Sequence, residues 1–152
     1  MTAPRIWTIG YEKVGVPDFI AALKKAKIKT LIDVREVANS RRAGFSKKAL
    51  AANFDEAGIA YIHMKPLGTP KAGREAARKG DTKTMTRIFE AKMVEPESQL
   101  SLAEAAAIAR RGRACLMCLE HDWRECHRTI VARHLTEDFG LTLVNLSPEP
   151  KL

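Results

Sequence analysis

The segment Cys118-Leu119-Glu120-His121-Asp122-Trp123-Arg124-Glu125-Cys126-His127-Arg128 concentrates thiols, imidazoles, carboxylates and guanidinium groups in one short stretch. Those residue types suit three chemistries. A thiol becomes a nucleophile when a neighbouring charge or base favours its thiolate. Imidazole and carboxylate groups move protons. Cysteine and histidine together also suit zinc or iron.

The elements on either side decide where these groups sit. Ala114-Cys115-Leu116-Met117 is an apolar run that reads as a buried strand, extending from Ala114 to Leu119. Thr129-Ile130-Val131-Ala132-Arg133-His134-Leu135 reads as part of a helix from Cys126 to Phe139. The strand delivers Cys118 and Glu120 to its carboxyl end, and the helix opens with Cys126, His127 and Arg128. Ile130, Val131, His134 and Leu135 form the expected inward stripe. His127 stands four residues before Val131 and Cys126 four before Ile130, so both should face the sheet from the first turn. A helix N-terminus favours anions and lowers a thiol's pKa.

Other strands end on polar residues too. Ile6–Ile9 leads to Gly10 and Tyr11, Thr30–Val34 carries Asp33 and leads to Arg35, and Ile59–His63 ends on His63. Helices are expected after Pro17, after Ser46, from Asp81 through Met93, and from Ser98 to Arg111. Pro66–Arg78 reads as irregular, because prolines and glycines fall among basic residues. Leu141–Leu146 reads as a fifth strand. The strands alternate with helices and lack clean polar alternation, as strands covered on both faces do. The expected architecture is a single three-layer, Rossmann-like α/β domain over 1–152, with a mainly parallel sheet of about five strands. Strand carboxyl ends share one edge of such a sheet, and ligands bind there. One cleft lined by Arg35, Arg41, Cys118, Glu120 and His127 is therefore expected.

The chain has 152 residues, enough for one domain with a real core. No stretch approaches the roughly 20 apolar residues of a membrane span, and no signal-peptide core is present at Met1-Thr2-Ala3-Pro4-Arg5. A cytoplasmic location is expected, with no membrane partner. Three cysteines do not form a secreted disulfide framework, so reduced thiols are expected. The net charge of +8 points to anionic partners: nucleic acid, nucleotides or phosphorylated metabolites. Aromatic content of 6% argues against an extended base-stacking surface.

Several phrases carry a resemblance. They are Thr8-Ile9-Gly10-Tyr11, Leu31-Ile32-Asp33-Val34-Arg35, Ser40-Arg41-Arg42, Phe45-Ser46 and Gly58-Ile59-Ala60-Tyr61-Ile62-His63, then Leu67-Gly68-Thr69-Pro70-Lys71, Met117-Cys118-Leu119-Glu120 and Cys126-His127-Arg128. In this order, from about Trp7 to Val144, they resemble the prokaryotic family catalogued as domain of unknown function 488. The resemblance implies a small cytoplasmic α/β domain with a shared polar cluster, without an established activity. Its implied site is Tyr11, Asp33, Arg35, Ser40, Arg41, Cys118, Glu120, Cys126, His127 and Arg128. The family often has proline where this chain has Ala38, two residues before Ser40.

The favoured expectation is an enzyme acting on an anionic small molecule, such as a nucleotide or nucleobase derivative. Cys118 or Cys126 would be the nucleophile, with His127 or Glu120 as acid or base. Tyr11, Asp33, Arg35, Ser40, Arg41 and Arg128 would hold the ligand, since guanidinium forks match phosphate and carboxylate. A cysteine-phosphatase loop from Cys118 to Arg124 is rejected, because Glu120 and Asp122 would face the dianion and no glycine opens the loop. A nucleic-acid-binding or processing module is the second possibility. A metal site of Cys118, Cys126, His127 and Glu120 is the third, although no resident metal or cofactor is assigned.

Overall fold

The computed structural model describes residues 4–38, 44–118 and 127–146. Five strands form one parallel sheet: β1 (Arg5–Gly10), β2 (Thr30–Asp33), β3 (Ala60–His63), β4 (Ala114–Cys118) and β5 (Thr142–Asn145). Their order is β3-β2-β4-β1-β5. β4 thus lies between β1 and β2, although it enters the sheet fourth.

Two cores flank the sheet. On one face, α1 (Val16–Lys25) contributes Phe19 and Leu23, and α2 (Lys47–Ala57) contributes Leu50 and Phe54. They pack on Trp7, Ile9, Leu31, Cys115 and Met117. The opposite face is covered by α3 (Lys71–Arg78), α4 (Thr82–Met93), α5 (Pro96–Arg111) and α6 (Arg128–Phe139). Alternate residues of each strand face opposite cores, which is why Ala114, Leu116 and Cys118 belong to the second core. This is the three-layer α/β architecture expected from the sequence.

Local chemistry explains several boundaries. Asp81 caps α4 by accepting a hydrogen bond from the Thr84 backbone N–H. Gly58 ends α2 with a φ of 77°, in the left-handed region. One expectation needs correction. Pro66–Arg78 is not irregular: Lys65–Leu67 forms a 3-10 turn and Lys71–Arg78 forms α3. Pro70 precedes α3 as its N-cap and does not interrupt it. Gly73 lies against Thr69 and Ile88, where a Cβ would come within 2.6 Å of the Thr69 methyl. The glycine that suggested a break therefore permits close helix packing. The last helix also starts later than expected, at Arg128.

Candidate functional site at the carboxyl edge

Connections leave the sheet in two senses. The helices after β1 and β2 cover one face, and those after β3 and β4 cover the other. β4 is flanked by β1 and β2, so adjacent connections diverge on either side of its carboxyl end. Such a topological switch point opens a crevice in a parallel sheet. Cys118 is the last residue of β4, and its carbonyl accepts a hydrogen bond from the Tyr11 backbone N–H.

The described candidate residues form two groups at this edge. The first lies on the α1/α2 side and centres on Asp33, which is fully buried. Its carboxylate accepts from Arg35 Nε at 2.9 and 3.1 Å and from Arg35 Nη2 at 2.7 Å. It also accepts from the Arg35 backbone N–H at 3.1 Å and from the Tyr61 hydroxyl at 2.5 Å. Arg35 is 6% exposed, and its Nη1 donates to the Tyr11 hydroxyl and the Phe45 carbonyl. Burial pulls the Arg35 guanidinium down, but the hydrogen bonds and charge of Asp33 outweigh it and leave its pKa raised. Burial, then the Asp33 hydrogen bond and charge, push the Tyr61 hydroxyl up. Both groups keep their ordinary charge states at neutral pH. Such mutual satisfaction is what makes a buried ion pair tolerable.

The second group lies on the other face. Arg128 is fully buried and shares the inward stripe of α6 with Val131, Ala132 and Leu135. Its Nη1 is 3.6 Å from the Cys118 sulfur. His127 Nε2 lies 2.8 Å from the Val34 carbonyl, an acceptor, so Nε2 carries the proton. The imidazole packs edge-on against Phe89 at 5.3 Å. Burial lowers the His127 pKa to about 4, the Val34 hydrogen bond opposes the drop, and the Arg128 charge adds to it. His127 is therefore neutral at pH 7, with the basic lone pair on Nδ1.

The edge thus gathers Tyr11, Asp33 and Arg35 into one network and Cys118, His127 and Arg128 into another. The two meet through backbone, because Val34, whose carbonyl holds His127, stands between Asp33 and Arg35. Ser40, Arg41, Glu120 and Cys126 lie outside the described residues. Arg35 differs from its expected role: Nε, Nη1 and Nη2 all donate within the protein, so it fastens Asp33, Tyr11 and Phe45 together. The expectation of reduced thiols is corrected for Cys118, whose sulfur is disulfide-bonded. Among the described residues Cys115 is a free thiol, buried in the sheet, and burial pushes its pKa up. Among the described residues no three His, Cys, Asp or Glu side chains assemble as a metal-binding set.

Sequence reasoning overlooked Tyr61 and gave His63 no role. His63 Nε2 donates to the Arg35 carbonyl at 2.6 Å. The signal was present: β3 pairs with β2 in register, Leu31 with Tyr61 and Asp33 with His63. Tyr61 is therefore a diagonal neighbour of Asp33 on the same face.

Among the described residues, no helix is long and apolar enough to cross a membrane. No curated protein and no solved structure matches the chain. The family model described as "Domain of unknown function DUF488" matches residues 15–135, which include Asp33, Arg35, Cys118, His127 and Arg128. The chain belongs to the DUF488 family.

Proposed function

We propose that this chain is an enzyme acting on an anionic small molecule, such as a nucleotide or nucleobase derivative, at the carboxyl end of β4. The supporting observation is the fully buried Arg128 guanidinium 3.6 Å from the Cys118 sulfur, beside the topological switch point. A guanidinium so placed stabilises a thiolate and a ligand anion alike. In this reading the disulfide at Cys118 is a resting form. A dithiol supplies two electrons and two protons and frees the sulfurs. Cys118 or Cys126 is then the nucleophile, and neutral His127 accepts a proton at Nδ1, with Glu120 as the second acid or base. Ser40 and Arg41 hold the ligand with Arg128. Tyr11, Asp33 and Arg35 tie Phe45 to the end of β2.

Calorimetry of the reduced protein at low ionic strength, with AMP, ADP and pyrophosphate, tests the reading. Binding is expected, weakening as salt screens the charges. Arg128→Lys keeps the charge but loses the fork, and about tenfold weaker binding is expected from the loss of one charge-assisted hydrogen bond. Absence of binding by folded, reduced protein across the panel overturns the proposal.

A further inference from the structure

The opposite, amino edge of the sheet carries a feature that the carboxyl-edge reading does not use. Two adjacent depressions, each about 530 Å³, open there and share Arg111, Gly112 and Arg113. Arg5 and Arg110 complete the basic lining of the first, and Lys24, Lys27 and Lys29 that of the second. Among the described residues, no aspartate or glutamate lines either one. These residues sit where helices end and strands begin, so one explanation is local: cations complement the partial negative charge of helix C-termini. That explanation fits Arg113, whose Nη1 donates to the Ala26 carbonyl at 2.9 Å beyond α1. It also fits Arg110, whose Nη2 donates to the Phe139 carbonyl at 2.5 Å at the end of α6.

It accounts for the charge of Lys27, two residues past α1, but not for its backbone conformation. This residue closes α1 with a φ of 59°. The Ile28 N–H donates to the Leu23 carbonyl at 3.0 Å and the Lys27 N–H to the Lys24 carbonyl at 2.9 Å. α2 closes identically, with Ile59 to Phe54 at 2.8 Å and Gly58 to Asp55 at 3.1 Å. The left-handed residue there is Gly58, the type that suits it. Lysine in that conformation is strained relative to glycine. Lys27 is exposed, and among the described residues no side-chain hydrogen bond or ion pair offsets the strain. Arg5, Lys24, Lys29 and Arg111 are likewise exposed and make no ion pair among the described residues.

We infer that this edge is a docking surface for the phosphate backbone of a nucleic-acid duplex, recognised without regard to sequence. Lys29, Arg113 and Arg5 precede or open three consecutive strands, β2, β4 and β1, which lie about 4.8 Å apart. With the lysines at the end of α1 they make a row longer than one phosphate needs. The surface is concave, and none of the exposed large apolar residues, Val37, Val94 and Leu100, lines it. An anionic membrane is the poorer fit, since the large apolar side chains that line the depressions, Trp7, Ile28 and Ile59, are buried and, among the described residues, no exposed one stands there for insertion.

Fluorescence anisotropy with a labelled mixed-sequence DNA duplex, at 50–200 mM salt, tests the inference. Five phosphate contacts predict a log–log slope of about −4.5, or roughly 500-fold weaker binding across that range. Lys27→Gly should flatten the slope by about 0.9 and weaken binding severalfold, while raising Tm by about 1–4 °C as the strain is relieved. Lys83→Ala, an equal charge change on α4, should leave the slope unchanged. A more stable Lys27→Gly with unaltered duplex binding would make these cations helix-end complements only and overturn the inference. So would binding to phosphatidylserine vesicles without binding to duplex, or no binding at all. None of these outcomes bears on nucleotide binding at β4, which calorimetry reads separately.

Discussion

His127 predicts a specific loss of stability in mild acid. Its pKa lies near 4 in the folded protein against 6.5 for the free group. The unfolded chain therefore binds a proton between these values and the folded one does not. Stability is fully present above about pH 6.5 and is lost as pH falls toward 4. The full effect is about 3 kcal/mol, at roughly 1.4 kcal/mol per pH unit. Between pH 7 and pH 5 the loss is about 2 kcal/mol, which lowers Tm by about 4–8 °C in a domain of this size. His127→Gln places a neutral amide nitrogen where Nε2 donates to the Val34 carbonyl and removes the titration. Carboxylates titrate alike in both proteins, so the difference between them isolates the imidazole. Urea unfolding of both at pH 7, 6 and 5 should show the variant less stable at pH 7 and the gap closing by about 2 kcal/mol at pH 5. Parallel pH profiles would mean that His127 titrates normally, and the neutral base assigned to it would fail.

Three further outcomes follow from the packing. Asp33→Asn should cost about 3–5 kcal/mol, because it leaves the Arg35 charge buried without its partner; Asp33→Asn with Arg35→Met should recover part of that loss in urea melts. Gly68→Ala should destabilise by more than about 2 kcal/mol, since its Cβ would stand 2.1 Å from the Glu36 backbone nitrogen and 2.4 Å from its Cα; a normal Tm would contradict that close approach. Cys115 should resist alkylation in the reduced native protein and react only in denaturant, because its thiol is buried and its pKa raised. Mass spectrometry of labelled peptides distinguishes it from the other cysteines, and rapid native labelling of Cys115 would refute the burial.

The sheet was legible because its strands are short apolar runs bounded by turn residues, and Tyr11, Asp33 and Cys118 stand where those runs end. α3 was not legible, because Gly73 looks like a breaker until Thr69 and Ile88 are seen against it. The inward face of α6 was half legible. Ile130, Val131, His134 and Leu135 were assigned to it: Val131 and Leu135 are buried, Ile130 packs against the core, and His134 stands at the margin, meeting Glu90 of α4. Arg128 stands three residues before Val131, four before Ala132 and seven before Leu135, spacings that mark it as inward. A guanidinium in a core stripe contradicts expectation from residue type, and such contradictions gather at functional sites. The role of Arg35 was hidden for a different reason. Sequence places a cation at a strand end without revealing that Asp33, Tyr11 and Phe45 would occupy its donors.

The proposed function places an anionic ligand at the end of β4 against Arg128, with a freed cysteine beside it. A crystal structure of the reduced protein soaked with ADP at low ionic strength tests this most directly. Ligand density is expected at the carboxyl ends of β1, β4 and β2, with phosphate oxygens within hydrogen-bond distance of the Arg128 guanidinium and the Cys118 sulfur reduced. Phosphate density confined to the amino edge near Lys27 and Arg113, with the β4 crevice closed to the nucleotide, would contradict it.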